Sequence, residues 1–538
     1  MIKSSLAALF LCYALDMISK AHYLELTQDA LLAEVCYYNQ LEDDQVNQLI
    51  FPVVIPPSSH PLFLQAKARI LKAIENQEKI IVCGDYDADG ICSTSILVKT
   101  LKDLGATVGY YIPHRFDEGY GLNPKTVKLA LEKGYTLFIT VDNGVSAFEA
   151  LDLIQEAQCD TIIIDHHELT QTPACRILIH PDFLEKDYEN SCGSALAYMM
   201  STHLKQNDYL CALAAVASIA DVMDLWGYNR TLINQGLAFY NQNKYAPLKA
   251  LTDKTDDLDE QGVAFQIVPK INAIGRMNDE VTVNAMVEYF CSEDPFQILL
   301  KAQQIKAVNE KRKTINTAMM AKTAKALIDP HTVVILDDPD FHEGIVGITA
   351  GQLSRKTKKP VIVLAHKDHS YKGSIRAPLG VDLRTLLKDS LIYTQRYGGH
   401  ALAAGIEIGE DQYEAFKASV YACTDGLDLS VEGRATLLFR SDLFTLESYS
   451  RLMTYKPFGQ GFELPEVEID KAPVISAKAL KNGFKWTVDA DGTPVDILCF
   501  SQCDESQFSK KILSCSGRLS LNAFRGTLSF SLVAESWT

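Results

Sequence analysis

Hydrophobic and polar positions in residues 61–230 predict short strands separated by helices. After its lysine the run KIIVC (79–83) is apolar throughout, and the residues beyond it place apolar side chains every three to four positions, as an amphipathic helix does. Gly105 and Gly134 stand where two such helical segments end. Regular alternation of strand and helix predicts a doubly wound, mostly parallel α/β sheet. The predicted strands are 79–83, 107–112, 136–141, 160–164 and 176–180.

The same patterns divide the chain into five predicted parts. A helical N-terminal segment ends in the proline-rich linker FPVVIPPSSHP, and the α/β domain follows it. A long helical connector, whose later part (286–328) is predicted to form one or two long helices, leads to a second α/β domain. Short alternating strands then predict an OB-like β-barrel. The five parts are 1–60, 61–230, 231–329, 330–428 and 429–538.

The stretch MIKSSLAALFLCYAL at the start of the chain has the outline of a signal peptide, with a lysine followed by apolar residues. No small-x-small cleavage site follows it, and Asp16 and Lys20 continue a helical pattern. We therefore expect an N-terminal helix. No other run approaches the ~18 apolar residues of a membrane span, so we expect no membrane association.

Composition and charge narrow the class of protein. With 47% hydrophobic and 22% charged residues, the chain resembles ordinary globular proteins. Its net charge of −17 argues against a generally basic nucleic-acid-binding coat, although a local basic groove is compatible with it. The 13 cysteines include no CxxC pair and mostly lie in apolar runs, which favours reduced packing residues in a cytoplasmic protein.

Three aspartates directly follow the first predicted strand. Because Asp85, Asp87 and Asp89 are spaced two apart, they would share one face of an extended segment. Their charges then repel one another unless a cation lies among them. Carboxylate oxygens are ligands that suit Mg²⁺ or Mn²⁺. A solvated acidic turn is the structural alternative for this stretch taken alone.

Polar clusters also follow two further predicted strands. VDNG (141–144) ends the strand 136–141, and DHHE (165–168) follows the strand 160–164. A single Asp after a strand is more often a helix N-cap than a ligand, but a DHH triplet suits a metal and a phosphate better. The carboxyl ends of parallel strands meet in one crevice, so the three clusters together predict a metal site there.

Taken in order, these clusters resemble the motifs of the DHH phosphoesterase superfamily, and SIADV (218–222) resembles its fourth motif. Later segments resemble successive motifs of the single-stranded-DNA-specific exonucleases in that superfamily. The resemblance covers nearly everything from residue 60 onward. The later segments are CGSALAY (192–198), ADVMDLWGYNR (220–230), PKINAIGRMND (269–279), VNEKR (308–312), FHEGIVGI (341–348), KGSIRAPLGVDL (372–383), GGHALAAG (398–405) and PFGQGF (457–462).

The resemblance implies two divalent ions, Mn²⁺ or Mg²⁺, that hydrolyse a phosphodiester. Asp142 is the natural bridging ligand, and His167 would contact the scissile phosphate or protonate the leaving oxygen. Asp85 and Asp165 are expected to orient ligands by hydrogen bonds. Cys83 departs from the pattern, because some superfamily members carry a histidine ligand there. The implied metal ligands are Asp87, Asp89, Asp142, His166 and Asp221.

Substrate contacts are implied by the later motifs. Two adjacent glycines let the backbone turn its N–H groups toward an anion, and a neighbouring histidine adds a donor. Several lysines give the connector a basic character, which indicates either phosphate contact or a solvated helix face. The expected substrate-binding residues are Arg276, Asn272, Arg312, His342, Arg376, Gly398, Gly399 and His400.

Aromatic residues recur among basic ones in the predicted barrel. On an OB-like barrel they would stack on bases in a basic groove, or they would form the barrel core. The pattern alone leaves both readings open. The aromatic residues are Phe484, Trp486, Phe500, Phe524 and Phe530, and the basic residues are Lys481, Lys485 and Arg525.

The resemblance implies a 5′-to-3′ exonuclease that releases nucleotides from single-stranded DNA in recombination and repair. It further implies a cytoplasmic monomer that works with a single-strand-binding protein and a repair helicase. One alternative is an oligoribonucleotide or cyclic-dinucleotide phosphodiesterase of the same superfamily, against which the C-terminal β domain argues. The other is a catalytically dead, Cdc45-like replication scaffold, against which the complete ligand set argues.

Overall fold

The computed structural model describes residues 19–253, 257–367, 369–429, 435–480, 483–500, 510–524 and 526–538. The N-terminal helix expected over residues 1–15 lies outside these residues, as do Lys481, Arg525 and the side chain of Phe524. No helix in these described ranges has both the length and the apolar character needed to cross a bilayer.

Three short helices begin the described chain, and an extended strap (51–60) follows them. The helices are α1 (Lys20–Thr27), α2 (Ala30–Asn39) and α3 (Asp43–Ile50). Their apolar side chains, including Leu31 and Leu32 of α2, pack into the same core as Phe439 and Phe458 near the other end of the chain. These helices therefore belong spatially to the C-terminal barrel, which the sequence pattern did not predict.

A parallel five-stranded sheet forms the next domain, in the strand order β2-β1-β3-β4-β5. Helices cover both of its faces, so the prediction of a doubly wound sheet is confirmed. Its elements are α4 (Pro61–Glu75), β1 (Lys79–Cys83), α5 (Ala88–Asp103), β2 (Thr107–Tyr111), α6 (Pro124–Glu132), β3 (Tyr135–Val141), α7 (Phe148–Glu156), β4 (Asp160–Ile164), β5 (Ile177–Ile179), α8 (Gly193–Leu204) and α9 (Asp208–Ala220).

Strand alternation assigns these helices to the two faces. Ile80 and Val82 of β1 point into the core formed with α4, α5, α8 and α9. Ile81 and Cys83 point to the opposite face, where they pack with α6 and α7. A strand buried on both faces must be apolar at every position, which explains the continuous apolar run KIIVC.

The apolar spacing after β1 predicts a helix over 91–104, and helix α5 begins three residues earlier, at Ala88. The carboxylate of Asp87 caps it by accepting from the backbone N–H groups of Asp89 (2.9 Å) and Gly90 (3.1 Å). The prediction that three aspartates share one extended face is therefore wrong, since Asp89 lies in the first helical turn. A Cβ at Gly90 would lie 2.4 Å from the backbone oxygen of Asp85, so close approach explains this glycine.

Helices dominate the connector between the two α/β domains. The segment predicted as one or two long helices contains two, of which α15 is the longer. The connector comprises α10 (Tyr228–Asn243), α11 (Ala246–Leu251), α12 (Glu260–Gln266), α13 (Val268–Arg276), α14 (Asn284–Cys291) and α15 (Pro295–Lys322).

The lysines of α15 are largely paired with acidic side chains. Lys301 contacts Glu288 at 2.7 Å, Lys306 contacts Asp253 at 2.6 Å, and Lys313 contacts Glu310 at 2.8 Å. Lys311 and Lys322 form similar pairs. A lysine already paired offers less net charge to a phosphate, so the structure favours the solvated-face reading for these lysines.

The second α/β domain has a mixed five-stranded sheet in the order β6-β7-β8-β10-β9. Only β6 and β7 run parallel, and the remaining neighbours are antiparallel. The elements are β6 (Val334–Asp338), α16 (Val346–Thr357), β7 (Val361–Lys367), β8 (Ser370–Arg376), α17 (Leu383–Leu386), β9 (Arg396–Gly399), β10 (Ala403–Gly409) and α18 (Tyr413–Thr424).

A six-stranded sheet forms the C-terminal domain, in the order β11-β12-β13-β14-β16-β15. An additional pairing of β12 with β15 curls the sheet toward closure, as the predicted barrel requires. The elements are β11 (Leu437–Leu438), α19 (Leu446–Leu452), β12 (Val467–Leu480), β13 (Gly483–Ala490), β14 (Thr493–Cys499), β15 (Ile512–Phe524) and β16 (Thr527–Trp537).

Burial separates the aromatic residues of this barrel. Trp486 and Phe530 lie in its core. Phe500 is 60% exposed, so it is available to a ligand. Lys485 pairs with Asp496 at 2.5 Å. Among the side chains described, the core reading therefore holds for Trp486 and Phe530, and base stacking stays open for Phe500.

Candidate metal centre

Aspartate side chains meet beyond the carboxyl ends of β1 and β3, where the motifs predicted them. Asp89 is buried, and its carboxylate accepts from the backbone N–H groups of Gly193 (2.7 Å) and Ser194 (2.8 Å) at the start of α8. A helix N-terminus stabilises an anion there. A Cβ on Gly193 would lie 2.6 Å from the Cβ of Asp142, so only glycine lets α8 approach this closely.

Asp142 follows β3 in an uncommon backbone conformation. Its φ is +58°, which aspartate tolerates better than most residues, and its side chain is buried. The next residue, Asn143, donates to the backbone oxygens of Cys83 (3.1 Å) and Val141 (2.8 Å). Asn143 thereby joins the ends of β1 and β3 and holds the two acidic motifs side by side.

His166 lies at the centre of the carboxylates. Its Nε2 is 3.1 Å from Oδ1 of Asp142, 3.6 Å from Oδ2 of Asp221 and 3.8 Å from Oδ2 of Asp89. Burial lowers the pKa of His166, which favours the neutral imidazole that binds metals. Asp221 reaches the group from the position that caps the C-terminus of α9.

Asp165 orients the DHH motif. Its Oδ1 accepts from the backbone N–H of His166 (2.8 Å) and lies 2.8 Å from Nδ1 of His167, while its Oδ2 accepts from the N–H of Val145 (3.0 Å). Burial raises the pKa of Asp165, but the bond from His167 and the other donors outweigh it, so the pKa is lowered and the group is a carboxylate. This geometry matches the orienting role expected for Asp165.

Tyr120 completes the surroundings of His167. Its hydroxyl donates to the backbone oxygen of Asp142 (2.7 Å) and lies 3.0 Å from Nε2 of His167. Burial by itself lowers the pKa of His167, but Asp165 and the neighbouring carboxylates outweigh it, and the pKa is raised. His167 is therefore held on two sides at the edge of the acidic group.

The carboxylates repel one another strongly. The pKa of Asp142 is raised well above its usual value, first by burial and then by the charges of Asp89, Asp87 and Asp221. Burial followed by the charges of Asp89 and Asp87 raises the pKa of Asp221 to about 8. Buried carboxylates this close can all ionise only if a cation compensates them, so the donor set fits a divalent metal.

Three overlapping groups of ligand atoms, each within 4.8 Å of one another, can be formed. They share Asp142 or His166, so two neighbouring ions could be bridged, as the resemblance implies. Asp85 belongs to one of the groups, and its buried Oδ1 has no hydrogen-bond partner. Asp85 is therefore a candidate direct ligand as well as an orienting residue. The groups are Asp142, His166 and His167; Asp89, His166 and Asp221; and Asp85, Asp87 and Asp142.

Four arginines lie together where the two α/β domains face each other. Burial, followed by the charges of Arg115, Arg376 and Arg312, lowers the pKa of Arg276 to about 9. Arg376 donates only to Ser374 and a backbone oxygen, and Arg312 only to Asn309. Among the residues described, no carboxylate lies within ion-pair distance of the four guanidinium groups. We call them the arginine cluster, and positive charge that is not taken up in ion pairs suits an anion.

Of the remaining expected substrate residues, two contact other protein groups and three are exposed. Asn272 accepts from the N–H of Ala88 at 3.0 Å, so it holds the start of α5. His342 lies 3.3 Å from a carboxylate oxygen of Asp279. Residues 398–400, at the end of β9, are exposed, and of the two glycines only Gly399 is required by its own backbone, because a Cβ there would lie 2.4 Å from the oxygen of Ala403.

Sequence reasoning missed three residues of this site. Arg115 belongs to the arginine cluster and lies 4.8 Å over the ring of Tyr86. Tyr120 contacts His167, and Nε2 of the buried His180 lies 2.9 Å from the backbone oxygen of His167. Isolated residues in loops carry no periodic signal, although the glycines that flank Tyr120 (119 and 121) mark a constrained turn.

Comparisons with known proteins agree with this architecture. Residues 79–223 match the DHH family N-terminal domain, residues 330–425 match the DHHA1 domain, and residues 438–536 match the RecJ OB domain. The chain is 29% identical over 482 residues to the single-stranded-DNA-specific exonuclease RecJ of Bacillus subtilis strain 168, covering 85% of this chain and 61% of the relative's length.

The Thermus thermophilus protein of the same name is 30% identical over 478 residues, covering 87% of this chain and 70% of its own length. A crystal structure of RecJ from that organism in complex with Mn²⁺ superposes with a TM-score of 0.77 at 27% identity. The superposition covers 95% of this chain and 78% of the other. The chain therefore belongs to the RecJ family within the DHH phosphoesterase superfamily.

Proposed function

We propose that this chain is an exonuclease that degrades single-stranded DNA from the 5′ end and releases nucleotides. The observation that carries the proposal is the position of the arginine cluster beside the carboxylate-histidine site. One region offers ligands for two divalent ions, and the neighbouring region offers charge for a phosphate. The names of the relatives add the substrate, since they are single-stranded-DNA-specific exonucleases.

The residues that would hold two divalent ions, Mn²⁺ or Mg²⁺, are Asp85 or Asp87, Asp89, Asp142, His166 and Asp221. Such ions lower the pKa of a bound water and neutralise charge on the scissile phosphate. The chain's own contribution is to fix these ligands through the N-terminus of α8, through Asn143 and through Asp165. His167, held by Asp165 and Tyr120, is positioned to donate a proton to the leaving oxygen.

The arginine cluster supports the binding of a strand end beside the acidic site. A Cβ on Gly275, beside Arg276, would lie 2.1 Å from the backbone oxygen of Tyr86, and Arg115 lies over the Tyr86 ring, so the cluster borders the neighbouring Asp87. A terminal phosphate bound there by guanidinium groups would place the next phosphodiester over the acidic site. Entry of the 5′ end is what the resemblance to the single-stranded-DNA-specific exonucleases implies.

The wider setting is proposed on the same basis. A cytoplasmic monomer acting in recombination and repair, together with a single-strand-binding protein and a repair helicase, would use such an activity. The C-terminal barrel supports a long single strand over a dinucleotide as substrate, because such barrels bind strands along a groove. The intact set of ligands supports an active enzyme over a replication scaffold.

Asp142→Ala tests the proposal directly. We expect the variant to lose at least about a hundredfold in hydrolysis of 5′-labelled single strands with Mn²⁺, because Asp142 belongs to two of the three ligand groups. Asp152→Ala, which changes an exposed aspartate on α7, is the control and should keep wild-type activity. Wild-type hydrolysis by Asp142→Ala would contradict the assignment, and preference for a dinucleotide over a long strand would contradict the substrate.

A further inference from the structure

Two sequence motifs that the proposed function leaves without a role contact each other in the structure. One is the segment 224–230, which closely follows the candidate metal ligand Asp221. The other is the segment 455–461, which leads into the C-terminal barrel. We call this pair of segments the clasp.

Arg230 is the centre of the clasp. Its guanidinium group donates to the backbone oxygens of the three consecutive residues 455–457, with distances of 3.2 and 3.3 Å for the last two. These oxygens end the 3-10 turn Met453–Tyr455, where unpaired carbonyls gather partial negative charge. The guanidinium also lies 5.6 Å from the ring centroids of both Trp226 and Phe462. Within the described part of the chain no carboxylate pairs with Arg230, which binds the turn through backbone oxygens.

Further backbone contacts close the clasp. The N–H of Leu225 donates to the oxygen of Gln460 at 3.0 Å, and Nε1 of Trp226 donates to the oxygen of Gly461 at 3.1 Å. A Cβ on Gly461 would lie 2.0 Å from a carboxylate oxygen of Asp224, so this glycine is required for the approach. The two segments thus fit each other closely.

The residue that directly follows Asp221 is held in an unfavourable conformation. Val222 has a φ of +55°, a left-handed conformation that β-branched residues rarely adopt. Its side chain is 64% exposed, so packing of the side chain does not impose this conformation. On one side the backbone is fixed by helix α9, because the N–H of Asp221 donates to Ala217 at 2.9 Å. The N–H groups of Val222 and Met223 add bonds to Ile219 (3.3 Å) and Ser218 (3.2 Å) of the same helix, and from Leu225 onward the clasp holds the chain.

We propose that the clasp positions Asp221, so that docking of the C-terminal barrel sets the metal affinity of the candidate centre. Strain of this kind persists only where the surrounding structure maintains it. If the clasp is opened, the backbone at Val222 can relax and carry the Asp221 carboxylate away from His166. This inference rests on the proposed metal centre and gives Arg230 and Trp226 the role of positioning residues.

The test is Mn²⁺ titration of the full-length, substrate-free protein. Arg230→Met keeps an unbranched apolar stem and removes the three donated bonds. We expect it to raise the Kd for Mn²⁺ about tenfold, as loss of residues that orient a ligand commonly does. Trp226→Phe keeps an aromatic ring beside Arg230 while it removes the bond to Gly461, and it should raise the Kd to a smaller extent.

A control variant separates positioning from general loosening of the barrel. Arg451→Met breaks the 2.6 Å ion pair with Asp29, which joins the barrel domain to the N-terminal helices but does not touch the clasp. We expect it to leave the Kd for Mn²⁺ unchanged. If Arg451→Met raises the Kd as much as Arg230→Met does, the effect is not specific to the clasp and the proposal fails.

Val222→Asn tests the strain itself, because asparagine adopts the left-handed conformation at low cost. Added to Arg230→Met, it should return the Kd to within about threefold of the wild-type value. The proposal is overturned if Arg230→Met and Trp226→Phe both bind Mn²⁺ as the wild type does. Asp221→Asn tests the proposed metal centre separately from the clasp, since wild-type Mn²⁺ binding by that variant would refute the metal centre itself.

Discussion

At the scale of single residues, the surroundings of His167 lead to a specific expectation for Tyr120. Tyr120→Phe keeps the aromatic ring and removes the hydroxyl that touches His167 and Asp142. We expect kcat on single-stranded DNA to fall about tenfold while KM stays nearly unchanged, since the bound substrate would meet a less well-positioned proton donor. Steady-state kinetics on 5′-labelled strands measures both parameters.

Tyr111→Phe is the matched control for this change. It removes a hydroxyl that donates to Glu118 at 2.6 Å, away from the carboxylate-histidine site. Its kcat should stay within about twofold of wild type, as for most changes outside a site. An equal loss in both variants, or a loss confined to KM, would contradict the role assigned to Tyr120.

Gly193 carries a second prediction at this scale. Gly193→Ala would place a methyl group 2.6 Å from Asp142 and 3.0 Å from a carboxylate oxygen of Asp89. We expect a loss of about 1–3 kcal/mol in the free energy of unfolding, because the start of α8 must move. Gly351→Ala in α16 is the control, since its nearest neighbour would be 3.9 Å away, and it should be neutral or stabilising. Denaturant unfolding without metal compares the two, and equal stabilities would refute the packing argument.

Residues with a strong local signal could be predicted from the sequence, and residues defined by tertiary contact could not. Asp87, Asp142 and His166 directly follow or end predicted strands, and the structure brings them together. Arg115 and Tyr120 stand alone in a loop. The glycines beside Tyr120 indicate a turn, but no local pattern indicates that either side chain reaches the site. Asp85 was expected to support other ligands, and only its buried, unpartnered oxygen shows that it could bind directly.

At the scale of elements, capping and charge pairing explain where the pattern failed. Helix α5 starts at Ala88 because the side chain of Asp87 accepts from its first N–H groups. This cap is a local signal, but the spacing of apolar residues does not reveal it. The sequence left phosphate contact open for the lysines of α15 because most of their acidic partners are distant in sequence. Asp253 and Glu288 reach them only after the connector folds.

An ion-pair cluster joins α4 to the sheet and makes stability depend on pH. Arg69 lies 2.7 Å from Glu78 and 2.5 Å from Asp160. Burial alone would raise the pKa of each carboxyl, but the bond and charge of Arg69 outweigh it, so both pKa values are lowered. Their stabilising contribution is therefore present above the unfolded-state pKa near ~4 and is lost as pH falls through the lower folded-state pKa.

Arg69→Met should remove this contribution. We expect the free energy of unfolding at pH 7 to fall by about 2 kcal/mol, and its further decline below about pH 4 to become shallower than in the wild type. Arg176→Met, which breaks a more exposed contact to the same Asp160, should cost less than about 1 kcal/mol. Urea unfolding at pH 7 and in acid tests this, and a parallel acid decline in Arg69→Met and wild type would count against it.

At the scale of the whole molecule, the fold classes of the three domains were predictable and their arrangement was not. Alternating strands and helices predicted the parallel sheet and the second α/β domain, and a run of short strands with few helices predicted the barrel. All three predictions are confirmed. Periodicity reports which face of an element is buried but not against which partner. The packing of α1–α3 on the barrel and the contacts of the clasp depend on the choice of partner, which periodicity does not give.

The core shared by the N-terminal helices and the barrel also has a consequence for the order of synthesis. About 390 residues separate α3 from β11, and a ribosome adding roughly 5–20 residues per second needs roughly 20–80 seconds to make them. During that time Leu31 and Leu32 can pack within α1–α3 but lack their partners in the barrel, while the parallel sheet can already fold behind them. Helices α1–α3 therefore complete their native core only after the barrel has been made.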